Sequence, residues 1–214
     1  MKKFFKFGCL GIIAIFAIII IALIIDISND DPKSKETAKE TTKTTTSASK
    51  PKQQEKPNAN TNSDKITYEN EIKPKIDAMI KEYDAIWNQD WKPIWDEASK
   101  DPKSVDKNLL KEKMESVTNK YDELSNKNTE FKAYEKLNDP VLKEKMEKFR
   151  VEFGLATNYR SNAGRAVTQG LNGVAPLKGR MEEAKKSIQL SDKKIIDATA
   201  NLVEAETKLG IQRN

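Results

Sequence analysis

Three features of the chain predict an all-α fold: a nineteen-residue apolar run near its start, a helix-period apolar pattern from Asp64 to the end, and prolines set at even intervals within that pattern. No alternation of apolar and polar residues competes with the helical period, so no sheet is expected. The expected architecture is an N-terminal transmembrane helix, a disordered linker, and an elongated antiparallel bundle of about four long helices.

The transmembrane element is Phe7–Ile25, which carries no charge and follows Lys2, Lys3 and Lys6 in a basic N-terminus of residues 1–6. At ~1.5 Å per residue it spans about the 30 Å of a bilayer's hydrocarbon core. A cleaved secretory signal has a shorter apolar core and ends in a small-residue cleavage site, whereas this run exits through Ile24-Ile25-Asp26. A lipoprotein signal places its cysteine after the apolar core, whereas Cys9 precedes most of it. The run therefore reads as an uncleaved signal anchor. Lysines before the helix and Asp26, Asp30 and Asp31 after it favour an inside N-terminus and an outside C-terminal domain, although Lys33 and Lys35 weaken the contrast.

Residues 26–63 read as a disordered spacer. They hold almost no large apolar side chain, as in Thr41-Thr42-Lys43-Thr44-Thr45-Thr46, and cannot bury enough surface to offset ordering entropy. A flexible chain of this length spans roughly 35 Å.

Residues 64–214 form the domain. Asp101-Pro102, Asp139-Pro140 and Gly173-Val174-Ala175-Pro176 divide it into four segments, with Asp as helix cap, Pro at the first helical position and Gly as a stop. The first segment carries Ile72, Ile76, Met79/Ile80, Tyr83, Ile86/Trp87, Trp91 and Ile94/Trp95, with a break expected near Lys92-Pro93. The second carries Leu110, Met114, Val117, Tyr121, Leu124 and Phe131, with Asn128 at a skipped position; the third has Leu142, Met146, Phe149, Phe153, Ala156, Ala163 and Val167. The fourth steps by four and three through Leu177, Met181, Ala184, Ile188, Ser191, Ile195, Ala198, Leu202, Ala205 and Leu209, the seam of a left-handed helical pack. Short connections between such helices imply antiparallel neighbours.

Composition narrows the chemistry. There is no histidine, and the single cysteine lies in the apolar run, which removes histidine-based triads and His-ligated zinc. No cofactor is expected. Of the net charge of +5, the N-terminus holds three and the linker one, leaving the domain near +1, which is not a nucleic-acid footprint. Asp90 and Glu97, beside Trp87, Trp91 and Trp95, are a carboxylate pair to weigh for a glycan-acting hydrolase. Their helical separation of about 10 Å lies slightly beyond the inverting window. No enzymatic activity is expected.

Two clusters are binding candidates. Trp87, Trp91 and Trp95 stand four residues apart; they read either as a wide core face or as a partner-binding surface. Arg160 and Arg165 lie in a glycine-containing stretch with Gly154, Gly164 and Gly170. Arg160 falls on the apolar seam, so it reads either as a buried ion pair with a helix-one carboxylate or as a site for an anionic group. The glycines, each costing ~1 kcal/mol inside a helix, ask for a reason.

The start Lys2-Lys3-Phe4-Phe5-Lys6-Phe7-Gly8-Cys9-Leu10-Gly11-Ile12, the Lys/Thr/Ser/Asn linker and the cysteine-free helical domain resemble bitopic surface proteins of low-GC Gram-positive bacteria and their prophages. The resemblance is architectural and carries over no site residue. It implies a membrane-anchored, extracytoplasmic binding protein of the cell envelope, whose partner is a protein or an anionic envelope polymer. It also implies a prophage-type role in excluding competing phages. A glycan-acting hydrolase and an oligomerising coiled-coil spacer are the alternatives.

The assigned seam makes a prediction. Leu202→Asp should abolish the cooperative helical melt, because an unpaired charge on the apolar seam is costly. Lys193→Asp, two residues past the Ser191 seam position, should change the melt little. Circular dichroism checks both, and equal effects would refute the assigned face.

Overall fold

The computed structural model describes residues 59–94 and 106–212, with side chains from Asn62. The apolar run Phe7–Ile25, most of the linker, Trp95, Glu97 and Asp101-Pro102 lie outside the described residues. Within them the chain is all-helical, with four helices and no strand. None of these helices is long and apolar enough to cross a membrane.

α1 runs unbroken through Ala59–Thr67, Tyr68–Ile72, Lys73–Ala85 and Ile86–Trp91, and on to Ile94. It begins inside the stretch that composition assigns to the linker. Tyr68–Ile72 and Ile86–Trp91 are π turns, in which Lys73 N–H donates to Tyr68 O and Lys92 N–H to Trp87 O, five residues back. The sequence explains them. Core residues here are spaced by four in succession: Asp64, Tyr68, Ile72 and Ile76, then Tyr83, Trp87 and Trp91, all buried. In an α-helix of 3.6 residues per turn such a stripe drifts around the axis, whereas an i→i+5 turn is wider and keeps it facing one way. Each π turn also precedes a Lys-Pro pair, Lys73-Pro74 and Lys92-Pro93, where a regular turn would lose a hydrogen bond and meet the proline ring. The break expected at Lys92-Pro93 is thus a widened turn, and the helix continues through it.

α2 (Lys107–Glu130) starts at Asp106, whose side chain accepts from Asn108 N (2.7 Å) and Leu109 N (3.1 Å). The working cap of this helix therefore lies five residues beyond Asp101-Pro102. A 3-10 turn at Ala133–Lys136 leads to α3 (Pro140–Leu171), which begins as its sequence predicts. Asp139 accepts from Val141 N (2.8 Å) and Leu142 N (3.2 Å), and Pro140 takes the first helical position. α3 ends in a Schellman turn: Gly173, at φ 71°, donates to Gly170 O while Val174 N donates to Gln169 O. α4 (Leu177–Lys208) closes in the same way at Gly210, at φ 67°.

Cross-helix pairs fix the directions. α1 runs antiparallel to α2 through Glu82–Lys127 and Asp90–Lys120, and to α4 through Tyr68–Glu206 and Tyr83–Ser191. α3 runs antiparallel to α4 through Lys145–Glu204 and Glu152–Lys194. Successive helices are therefore antiparallel throughout. α1 and α2 fill the interior with bulk, including Tyr68, Ile72, Ile76, Trp91, Met114 and Tyr121, whereas α4 contributes Ala184, Ala198 and Ala205. Ser191 Oγ on α4 reaches the Ala156 carbonyl of α3 at 2.7 Å, so these two helices touch backbone to side chain.

Close approach also accounts for the helical glycines. A Cβ at Gly154 would stand 2.8 Å from Asn128 Nδ2, and one at Gly170 would stand 2.7 Å from Leu177 Cδ1. At Gly164 it would collide with the Thr118 hydroxyl and lie 3.3 Å from the Met114 carbonyl. Gly179, in contrast, meets nothing within 4 Å. The same substitution should therefore act in opposite directions. Gly164→Ala should cost ~1–3 kcal/mol through overpacking, and Gly179→Ala should gain ~0.5–1 kcal/mol through helix propensity. Urea titration followed by ellipticity measures both; a gain at Gly164 would remove the close-approach account.

Candidate functional site

Arg160 lies at the centre of the bundle. It occupies a core position of α3 between Ala156 and Ala163, whose small side chains leave it room, and only 4% of it is exposed. Its Nε donates to the Tyr83 hydroxyl at 3.0 Å and its Nη2 to Asp192 Oδ1 at 2.6 Å. The guanidinium carbon lies over the Trp87 ring, 3.7 Å from the centroid, a cation–π contact that arginine, with its weakly hydrated cation, tolerates well.

Proton bookkeeping sets the direction of the network. Arg160 can only donate, and a carbonyl can only accept. Ser191 Oγ donates to Ala156 O, so its single proton is used; in the 2.7 Å contact between the two hydroxyls, Tyr83 must then be the donor. The order is Arg160 to Tyr83 to Ser191 to Ala156, joining α3, α1 and α4 and returning to α3. α2 enters through Tyr121, whose hydroxyl donates to Tyr83 O at 3.3 Å and whose ring meets that of Tyr83 edge-on at 5.5 Å. Burial raises the Tyr121 hydroxyl pKa above the ordinary tyrosine value, so it stays protonated and available as a donor.

Burial also pushes the Asp192 carboxyl above its ordinary value, and the facing Arg160 cation only partly opposes this. The sign matters. A carboxyl with a raised folded-state pKa contributes stability that is fully present below the unfolded-state pKa and is lost as pH rises through the folded value. Arg160 is opposed by its own burial but is held above the ordinary arginine value by Tyr83, Tyr121 and Asp192, so burial disfavours the charged carboxylate while the surrounding groups favour the charged guanidinium. Arg160 Nη1 finds no acceptor among the described residues. What the pair adds is a defined meeting point of the helices, through directed hydrogen bonds from the guanidinium to α1 and α4.

The sequence-derived candidates fall out as follows. Trp87 and Trp91 are core: 4% and 0% exposed, stacked with centroids 5.6 Å apart. Arg160 is core as well, but its carboxylate partner comes from α4 rather than from the first helix. Arg165 is at the surface, its Nη2 on Asp122 Oδ2 at 2.5 Å and its Nη1 on Asn162 Oδ1 at 3.0 Å. Asp122 also accepts from Ser161 at 2.6 Å, so this group straps α2 to α3. Trp95 lies outside the described residues. Asp90, weighed as half of a carboxylate pair, is bound by Lys120 at 2.7 Å. The structure thus brings Trp87, Trp91 and Arg160 together and leaves Arg165 on a separate face. Tyr83, Ser191 and Asp192 belong to the cluster and were not singled out from sequence; the available signal was Ser191, a polar residue at a seam position like Arg160.

No family model matches the chain, and no curated protein or solved structure matches it either.

Arg160→Ala should lower unfolding free energy by ~2–4 kcal/mol, because the stem is lost from the core and Asp192, its side chain 28% exposed, loses its cation. Arg160→Met combined with Asp192→Asn, which keeps the volume of the stem and removes the charge left without a partner, should cost far less in the same urea titration. A double variant as weak as the alanine one would show that the ion pair is a net stabiliser.

Proposed function

We propose that this protein is a membrane-anchored helical interaction module whose folded domain works outside the cytoplasm, at the cell envelope. The observation that carries the reading is the uncharged run Phe7–Ile25 behind Lys2, Lys3 and Lys6, followed by a polar linker and a folded helical unit. The geometry of the bundle supports a non-enzymatic reading of its conspicuous residues. Trp87, Trp91 and Arg160 are spent on one another in the interior, and Asp90 is spent on Lys120. Recognition then falls to the outer faces, where Arg165 is the one described candidate residue within reach of a partner. A protein or an anionic envelope polymer is the partner class, and nucleic acid is not.

Self-association is a second reading with its own observation. Val151 and Leu155 on α3, and Ile196 and Val203 on α4, are apolar yet between 36% and 55% exposed. The seven-residue step from Ile196 to Val203 is the spacing of a helix-pairing row.

The topology is tested with Ser47→Cys in a Cys9→Ser background. The thiol should react with a membrane-impermeant maleimide on intact cells, and protection until lysis would overturn the reading. Surface crosslinking on the same cells then separates the two partner classes. Arg165→Ala should weaken an adduct with a foreign partner while leaving the melt nearly unchanged; an adduct of twice the chain's mass would favour self-association.

A further inference from the structure

The first stretch of α1, Ala59–Thr67, is held on the bundle differently from every other helical segment. From Asn62 to Thr67 the only buried side chain is a carboxylate, Asp64, which is 0% exposed; the one large apolar residue, Ile66, is 54% exposed. Asp64 Oδ1 accepts from Asn138 N at 2.7 Å and from Asn138 Nδ2 at 2.9 Å, and its Oδ2 accepts from Asp139 N at 2.8 Å. All three donors belong to the connection into α3. Asp139 in turn caps α3 and pairs with Lys208 of α4 at 3.1 Å. One carboxylate therefore joins this stretch to both α3 and the end of α4.

Immediately after it comes a fixed pivot. Tyr68 is fully buried and donates to the equally buried Glu206 at 2.6 Å. Tyr68–Ile72 is a π turn, and Pro74 behind it has no N–H to give. Helices bend where regular i→i+4 bonds are missing, at π turns and prolines, so the natural bending point lies between the stretch and the rest of α1. The stretch itself, Ala-Asn-Thr-Asn-Ser-Asp-Lys-Ile-Thr, is rich in residues whose side chains compete with helical backbone bonds. From Asn62 to Thr67 it has no buried apolar side chain, and its sequence has no strong helix propensity of its own.

We propose that Ala59–Thr67 is a hinged arm, latched to the α2–α3 connection through Asp64, that opens about the Tyr68 pivot without unfolding the bundle. Segments with little buried apolar surface open locally at low free energy. Among the described side chains of the arm, the buried latch is a set of hydrogen bonds to a charged acceptor. The inference concerns the bundle alone and stands whether or not Phe7–Ile25 spans a membrane.

Hydrogen exchange read by mass spectrometry on the full chain in detergent tests it. In Asp64→Ala, exchange in peptides covering 59–67 and 137–139 should rise roughly tenfold or more, the size of one lost charge-assisted hydrogen bond. Peptides within 142–170 and 180–208 should keep their wild-type protection, and the cooperative melt should persist. Asp64→Asn, which keeps an acceptor oxygen, should give a smaller rise in the same two regions. Three results would overturn the proposal: no change in the arm, a rise shared by all four helices, or loss of the cooperative melt in Asp64→Ala. The last two would make Asp64 part of the global fold rather than a local latch.

Discussion

A guanidinium carried into a helical core must be met by acceptors, and the meeting of the four helices is organised around that demand. Arg160 takes the Tyr83 hydroxyl from α1 and the Asp192 carboxylate from α4, with Trp87 as its floor. Tyr83 accepts from Arg160 and donates to Ser191, whose own hydroxyl donates to the Ala156 carbonyl, so each hydroxyl uses both a lone pair and its proton. Each hydroxyl fixes the distance and rotation of the next helix. An apolar residue at position 160 would tolerate sliding of α1 against α3 and α4, whereas hydrogen bonds of 2.6–3.0 Å do not. Directed bonds of this kind define the packing at the place where burial also opposes ionisation of Asp192.

The second organising constraint is the spacing along α1. Its buried residues come in runs of four, and a uniform α-helix cannot hold such a run on one face. Widening two turns restores the alignment and also accommodates Pro74 and Pro93. Trp91 illustrates the gain. It is fully buried, whereas in a regular α-helix the four-residue steps from Tyr83 would carry it toward the flank. Burial of an aromatic side chain of this size is worth ~1.5–3 kcal/mol, enough to select a rare helical geometry locally.

Much of this was legible in the sequence because it depends on short-range rules. The seam of α4 from Ala184 to Leu209, the Asp139-Pro140 start and the Gly173 stop all follow from period and capping alone. What escaped depends on partners far away in the chain. Nothing local in Gly164 announces the Thr118 hydroxyl opposite it, and nothing near Arg160 says that its carboxylate lies at position 192 rather than on the first helix. Likewise the tryptophan spacing was visible, but whether the stripe drifts to the surface or is kept inside depends on whether the backbone widens. Asp106 was missed for another reason: the nearby Asp101-Pro102 carries the same capping chemistry with the more familiar proline.

The placement of these residues constrains what kind of recognition the protein can perform. Large aromatic and arginine side chains are the usual anchors of tight interfaces, and in the described bundle two tryptophans and the central arginine are consumed internally. What remains outside is a field of lysines and carboxylates, many already joined in pairs such as Lys127–Glu82 and Arg165–Asp122, with scattered apolar residues on α3 and α4. Such a surface binds through many weak, screened contacts rather than through a deep anchor. Affinity for one copy of a partner would then be modest. Under the function proposed above, binding would gain from tethering, because a domain held near a surface meets a co-confined partner at an effective concentration far above that in solution. In that proposal an anchor would supply concentration and the bundle a rigid shape, and the residues that look most like a binding site, Trp87, Trp91 and Arg160, instead pack in the core and hold that shape.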